Sequence, residues 1–195
     1  MRRLLTAAVP MTAVVAANLA FVLLGTSFDY PDVLTQDPTD VLRRFHADGA
    51  IAWEFALLAL SAALLAPASF ALTGDRAVRI TGTAAAVVQT AGLLRWPLLV
   101  PGLSPDDPAD VRAFEALNLW LGNVVGETGG YLLTAAWTVL VLRALKPGRV
   151  STVVGGLAAT GILAGVVGAG EVNFIGYVLW SVWLLALAYS VSRRA

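Results

Sequence analysis

The stretch "IAWEFALLALSAALLAPASFAL", residues 51–72, carries a single charged side chain, Glu54, and its reading decides the class of fold. Crossing the hydrocarbon of a bilayer takes ~20 mostly apolar residues in a helix, whose backbone groups then satisfy one another. Five further segments meet that requirement, at about 4–24, 80–100, 117–142, 150–170 and 174–191. The chain therefore reads as an all-α, polytopic bundle of six transmembrane helices, one domain over residues 1–195. Composition agrees, with 58% hydrophobic and only 13% charged residues, a balance that a water-soluble domain could not easily cover with polar surface.

The formal net charge is zero, but the charges are sorted along the chain. Arg2, Arg3, Arg76, Arg79, Arg143, Lys146, Arg149, Arg193 and Arg194 fall on one side of this even-numbered arrangement, accompanied by one acid, Asp75. The positive-inside bias makes that side the cytoplasm, so both termini are expected inside a cell membrane. The outer side is acidic, with Asp29, Asp32, Asp37, Asp40, Asp48, Asp106, Asp107, Asp110 and Glu115 against Arg43, Arg44 and Arg112. The opening run "MRRLLTAAVPMTAVVAANLAFVLLG" has the outline of a secretory signal. Its apolar part exceeds the ~7–15 residues of a typical signal core and lacks an obvious small-x-small exit, so it is read as the first span.

Two longer outer loops repeat a phrase, "DPTDVLRRF" at 37–45 and "DPADVRAF" at 107–114. In each, an Asp can cap a helix whose first position is Pro, and a second Asp three residues later adds favourable charge at the helix N-terminus. A short interfacial helix is expected in each loop. Convergent capping chemistry explains the repetition as well as duplication does.

The informative charges lie within the spans. "GLLRWPLLVP", residues 92–101, places Arg95 in an apolar run, and Glu127 follows "LWLGNVVG". At ~1.5 Å per residue, Arg95 sits about 24 Å from Arg79 and Glu127 about 24 Å from Arg143. Glu54 lies one turn inside its span, so the three share nearly one depth close to the outer interface. Glu171, in "GAGEVNF", marks the same mouth.

A charge at the bilayer centre costs about 2.5 to 3.5 kcal/mol on insertion scales, so such groups face one another or a wet cavity. One account pairs Arg95 with Glu127, Glu54 or both, with Asn123 adding a hydrogen-bonding group one turn before Glu127. The other lets Arg95 snorkel to the outer headgroups, with Trp96 and Pro97 marking the interface.

Gly122, Gly126 and Gly130 recur every fourth residue, as do Gly161 and Gly165, a spacing that lets helices approach closely in lipid. Trp53, Trp96 and Trp120 fall near the outer boundary and fit an aromatic belt. Tyr177, Trp180 and Trp183 lie deeper, where they either line an apolar ligand pocket or pack between helices. Gln89 is expected to bond another helix.

With no Cys, disulfides, thiolate nucleophiles and cysteine-ligated metals are excluded, and a single His, His46, does not make a multi-histidine site. Phosphate-cradling loops, nucleophile elbows and HExxH helices are absent from the sequence. Asp106 and Asp107 read as caps rather than metal ligands, and no metal or cofactor is expected. Basic residues split among small inner patches suit anionic lipid headgroups better than nucleic acid.

The stretches "FDYPDVL" (28–34), "VLRRF" (41–45), "GLLRWPLLVP" (92–101), "GNVVGETGGYLLTAAWT" (122–138) and "GYVLWSVWLLAL" (176–187) carry a resemblance to a bacterial, mainly actinobacterial, family of integral membrane proteins, a domain of unknown function. The resemblance spans most of the chain and implies a six-helix membrane domain without implying an activity. Arg95, Glu127, Trp180 and Trp183 fall within the matching stretches, whereas Glu54 and Glu171 do not.

Three functions fit these residues. The first is a membrane protein that binds a lipid or small apolar ligand, or serves as an accessory or sensor subunit with a partner membrane protein. The second is a carboxylate-based intramembrane enzyme acting on a lipid or isoprenoid, with Glu127 as proton donor or acceptor and Arg95 stabilising an anion. The third is a small proton-coupled transporter. Ligand-binding candidates are Glu54, Arg95, Asn123, Glu127, Tyr177, Trp180 and Trp183, and fold alone does not choose among the three.

Overall fold

The computed structural model describes the backbone from Arg2 to Arg194 and the side chains of residues 7–193. The side chains of Arg2, Arg3 and Arg194, counted above with the basic side, lie outside the described residues. The helices are α1 (Arg2–Ser27), α2 (Pro38–Ala47), α3 (Ala50–Ala63), α4 (Leu65–Leu72), α5 (Arg76–Leu98), α6 (Pro108–Leu117), α7 (Gly130–Leu145), α8 (Arg149–Ala164) and α9 (Gly170–Arg194). A π-helical segment, Asn118–Gly129, joins α6 to α7. Among the described residues there are no strands.

Among the described residues six stretches are long and apolar enough to cross a membrane: Ala7–Ser27, Ala50–Leu72, Arg76–Gly102, Pro108–Leu145, Arg149–Val167 and Gly170–Arg193. They match the six expected spans, and the chain is a multi-pass membrane helix bundle. Val22, Phe70, Val87, Leu157, Phe174 and Val182 stand exposed on several of its helices, where lipid rather than water accounts for so much apolar surface.

Local chemistry explains where the helices break. Pro67, which has no N–H and crowds the carbonyl four residues earlier, falls just after the interruption between α3 and α4. Pro97 precedes the end of α5. The Asp37 carboxylate accepts from the Thr39 N–H at 2.8 Å and starts α2, and Asp107 accepts from the Ala109 N–H at 2.8 Å and starts α6. The bond to Thr39 holds the Asp37 carboxyl below the usual aspartate range. Both expected loop helices are present, and α6 runs on into the fourth span.

Each span packs on its neighbours in sequence. α1 meets α3 and α4; α5 lies between those helices and the π-helical segment with α7; α7 meets α8, and α8 meets α9. The packing of α1 on α9 closes the ring. One end, the cap end, holds α2, α6 and the loops around them; the other, the basic end, holds Arg76, Arg79, Arg143, Lys146, Arg149 and Arg193.

Glycines set the tightest contacts, as their spacing suggests. Gly92 of α5 faces Gly126 so closely that a Cβ built on Gly92 would lie 2.6 Å from the Gly126 Cα. Gly161 of α8 and Gly176 of α9 meet in the same way, with 2.8 Å from a Cβ on Gly161 to the Gly176 Cα.

The cap end is filled by an aromatic core. Phe55 stacks on Trp96 at 4.6 Å between centroids, while Phe28, Phe45 and Phe114 meet the Trp96 ring at 5.3, 5.6 and 5.7 Å. Trp96 is fully buried, which corrects its expected place in an interfacial belt. The chain after α1 folds back over the cap end and brings Phe28 and Val33 onto a residue that depth alone would leave at the interface. Trp53 and Trp120 are exposed, as a belt requires.

Candidate functional site

Arg95 is only 4% exposed and therefore does not snorkel to the headgroups. Its Nε donates to Asn118 Oδ1 at 3.1 Å, its Nη1 donates to the Gly92 carbonyl, and its guanidinium lies 5.2 Å from the Trp96 ring centroid. Gly122 makes room for it: a Cβ there would come within 2.7 Å of Nη2. The glycine stripe thus serves two purposes, close approach at Gly126 and a bed for the guanidinium at Gly122.

Glu127 comes from the π-helical segment and acts on Arg95 electrostatically. Among the described residues no ion pair within 4 Å joins Arg95 to Glu127 or to Glu54. Glu54, half-buried, instead accepts from the Ser27 hydroxyl at 2.5 Å, tying α3 to the end of α1. Asn123, expected to join the cluster, is exposed. The amide that serves Arg95 is Asn118. The i→i+5 bonding of a π-helix adds residues to each turn, so counting back from Glu127 by α-helical turns selects the wrong face. Glu171 opens α9 on the surface.

Three of the chain's four tyrosines converge on this charge pair, which spacing alone did not reveal. Tyr30, from the loop after α1, is acted on by both Glu127 and Arg95. Tyr131 of α7 and Tyr177 of α9 are acted on by Glu127, and their rings lie 6.0 Å apart at 60°. Gln89 Nε2 donates to the Thr134 hydroxyl at 3.0 Å, the interhelical bond expected of Gln89. Tyr30, Glu127, Tyr131 and Tyr177 are each partly accessible rather than closed off.

Burial pushes the Tyr30 phenol up to about 12; Glu127 adds to the rise and Arg95 opposes it. Because the folded value exceeds the ordinary 10.0, the phenol contributes stability below pH 10 that is lost as pH rises toward 12. A tyrosinate absorbance titration of wild type minus Tyr30→Phe is expected to give a midpoint near 12. A midpoint near 10 would place Tyr30 in water.

Below the cluster an aromatic column runs toward the basic end. Tyr177 lies 6.5 Å from Trp180, Trp180 lies 5.8 Å from Trp137, and Trp137 lies 6.4 Å from Trp183. Each indole N–H donates to a hydroxyl: Trp180 to Thr138 at 2.8 Å, Trp137 to Ser69 at 2.8 Å and Trp183 to Ser151 at 3.1 Å. Trp183 is 2% exposed and packs in this core, the second of its two expected roles. Trp180, half-buried, continues the wall begun by the tyrosines. Trp137, at the centre of the column, was not singled out from sequence.

Arg95 and Glu127 were legible as ionisable groups in apolar runs. Tyr30, Asn118 and Tyr131 were not, although Tyr30 and Tyr131 stand in the quoted stretches "FDYPDVL" and "GNVVGETGGYLLTAAWT". All five quoted stretches meet here: Tyr30, Arg95, Glu127 and Tyr177 in the cluster, and Phe45 beside it in the cap-end core, against Phe28 and Trp96. In comparisons with family models, curated proteins and solved structures, nothing matches the chain.

Proposed function

We propose that this protein sits in the cell membrane with both termini in the cytoplasm and binds a lipid or small apolar ligand, whose polar group docks among Arg95, Glu127 and the three tyrosines. The clustering of Arg76, Arg79, Arg143, Lys146, Arg149 and Arg193 at one end supports the orientation. The observation that carries the binding reading is Arg95 itself: a guanidinium deep in a bundle, held in place by Asn118 and Gly92 yet, among the described residues, without a carboxylate within 4 Å. A group costly to bury and rigidly positioned by neutral partners is suited to recognition. Tyr177 and Trp180 extend apolar surface from it, so a ligand with a polar head and an apolar body fits both parts. Membership of the actinobacterial family it resembles is part of this proposal, since the stretches that carry the resemblance supply the cluster.

A second reading is an intramembrane enzyme in which Glu127 moves a proton and Arg95 stabilises an anion. It is favoured by the single carboxyl set among three phenols and a guanidinium.

Native mass spectrometry with lipid identification on the purified protein tests the binding reading. Wild type is expected to retain a defined molecule, and Tyr177→Ala to retain at least about tenfold less of it. Retention of nothing by wild type removes the proposal. A cellular lipid profile changed equally by deletion and by Glu127→Gln would favour the enzyme.

A further inference from the structure

The charge pair also specifies what kind of polar head the site takes, given that it binds a ligand at all. Arg95 spends Nε on Asn118 and Nη1 on Gly92, while its Nη2, over Gly122, has no acceptor among the described residues. Glu127 has no hydrogen-bonding partner among them either. Two opposite charges in hydrocarbon that act on each other without touching each keep capacity for a partner of opposite sign. An anionic ligand would meet Arg95 but be opposed by Glu127, and a cationic one the reverse. A molecule carrying both charges satisfies the two together and adds no net charge to the membrane interior, where net charge is most costly. The tyrosines favour the same answer, because aromatic faces beside a carboxylate attract ammonium groups.

We infer that the cluster binds a zwitterion, with an ammonium group between Glu127 and the Tyr131–Tyr177 ring pair and a phosphate or carboxylate, joined to it through a few atoms, on the Arg95 guanidinium. A guanidinium with a free edge is the side chain best shaped to grip such an oxyanion. The zwitterion has two natural sources, the headgroup of a phospholipid such as phosphatidylethanolamine and a free small molecule such as glycerophosphoethanolamine or glycine betaine. Both share the chemistry named here.

The test uses the full-length protein, purified in detergent and delipidated, with binding read by native mass spectrometry. Probes are phosphatidylethanolamine, phosphatidylglycerol and diacylglycerol with matched acyl chains, together with free glycerophosphoethanolamine and glycine betaine. Wild type is expected to prefer phosphatidylethanolamine over phosphatidylglycerol by about tenfold, the worth of one charged contact. Glu127→Gln, which leaves Arg95 unopposed, is expected to reverse that ranking toward phosphatidylglycerol, an effect that a purely structural glutamate would not produce. Displacement of the lipid by either free zwitterion assigns the small molecule as the source; retention of the lipid in their presence assigns the headgroup. Equal retention of the two phospholipids by wild type overturns the inference while leaving ligand binding standing, as does an unchanged ranking in folded Glu127→Gln. Retention of none of the probes, and of no native molecule, removes the binding reading itself. Should Glu127→Gln fail to fold, the wild-type ranking decides alone.

Discussion

Gly92→Leu and Gly126→Leu, made singly, are expected to leave little folded protein to recover from the membrane, whereas Gly156→Leu is expected to be close to neutral. A Cβ on Gly92 would lie 2.6 Å from the Gly126 Cα and 2.8 Å from the Leu121 carbonyl oxygen, and one on Gly126 would lie 3.0 Å from the Gly92 Cα. These neighbours are backbone, and they cannot swing aside as a side-chain tip would. Ordinary overpacking costs about 1 to 3 kcal/mol when neighbours can adjust; here α5 and the π-helical segment have to separate, which also pulls Arg95 from Asn118. Gly156 has nothing within 4 Å of its Cβ position and supplies the control for glycine loss as such. Monodisperse yield on size exclusion and the thermal unfolding midpoint measure the effect. A Gly126→Leu protein as stable as wild type would mean that the two backbones do not touch.

Arg95→Glu is expected to be as damaging, and distinctly worse than Arg95→Met. Either change strips the partner from Asn118 Oδ1, at about 1 to 3 kcal/mol for an acceptor left unsatisfied, and removes a second donor from the Gly92 carbonyl, which keeps its place in the α5 ladder. Only the glutamate also adds an anion at a site on which Glu127 acts and where the original side chain is 4% exposed. Arg95→Glu combined with Glu127→Gln should therefore regain much of the difference between the two single variants. Unfolding midpoints of wild type, Arg95→Glu, Glu127→Gln and the double variant form the cycle. Equal midpoints for Arg95→Met and Arg95→Glu would show that Glu127 is too distant to act on position 95.

The two substitutions probe different kinds of information. The glycine stripe, the capped loop helices and the spans follow from composition and spacing over a few adjacent residues, because a helix in lipid has to be apolar along its length and small wherever it touches another backbone. Arg95 and Glu127 were visible for the same reason, as groups whose presence in an apolar run demands an explanation. Their partners were another matter. Asn123 lies one α-helical turn from Glu127, and the longer turn of the π-helical segment gave its expected place to Asn118. Trp96 sits at the depth of an interfacial belt, and the returning loop buried it.

The sequence by itself determined the number, length and alternating direction of the spans, and which charged groups had to find company inside them, since each depends on local hydrophobicity and on the cost of charge in hydrocarbon. Only the tertiary structure decided what that company is. Tyr131 stands four residues after Glu127 in the same span, but Tyr30 comes from the loop after α1 and Tyr177 from α9, and those two join it because the ring closes with α9 against α1. Rotation of each helix about its axis, set by glycine contacts and by the π-helical segment, chooses the side chains that face inward, and no pattern within one span contains that choice.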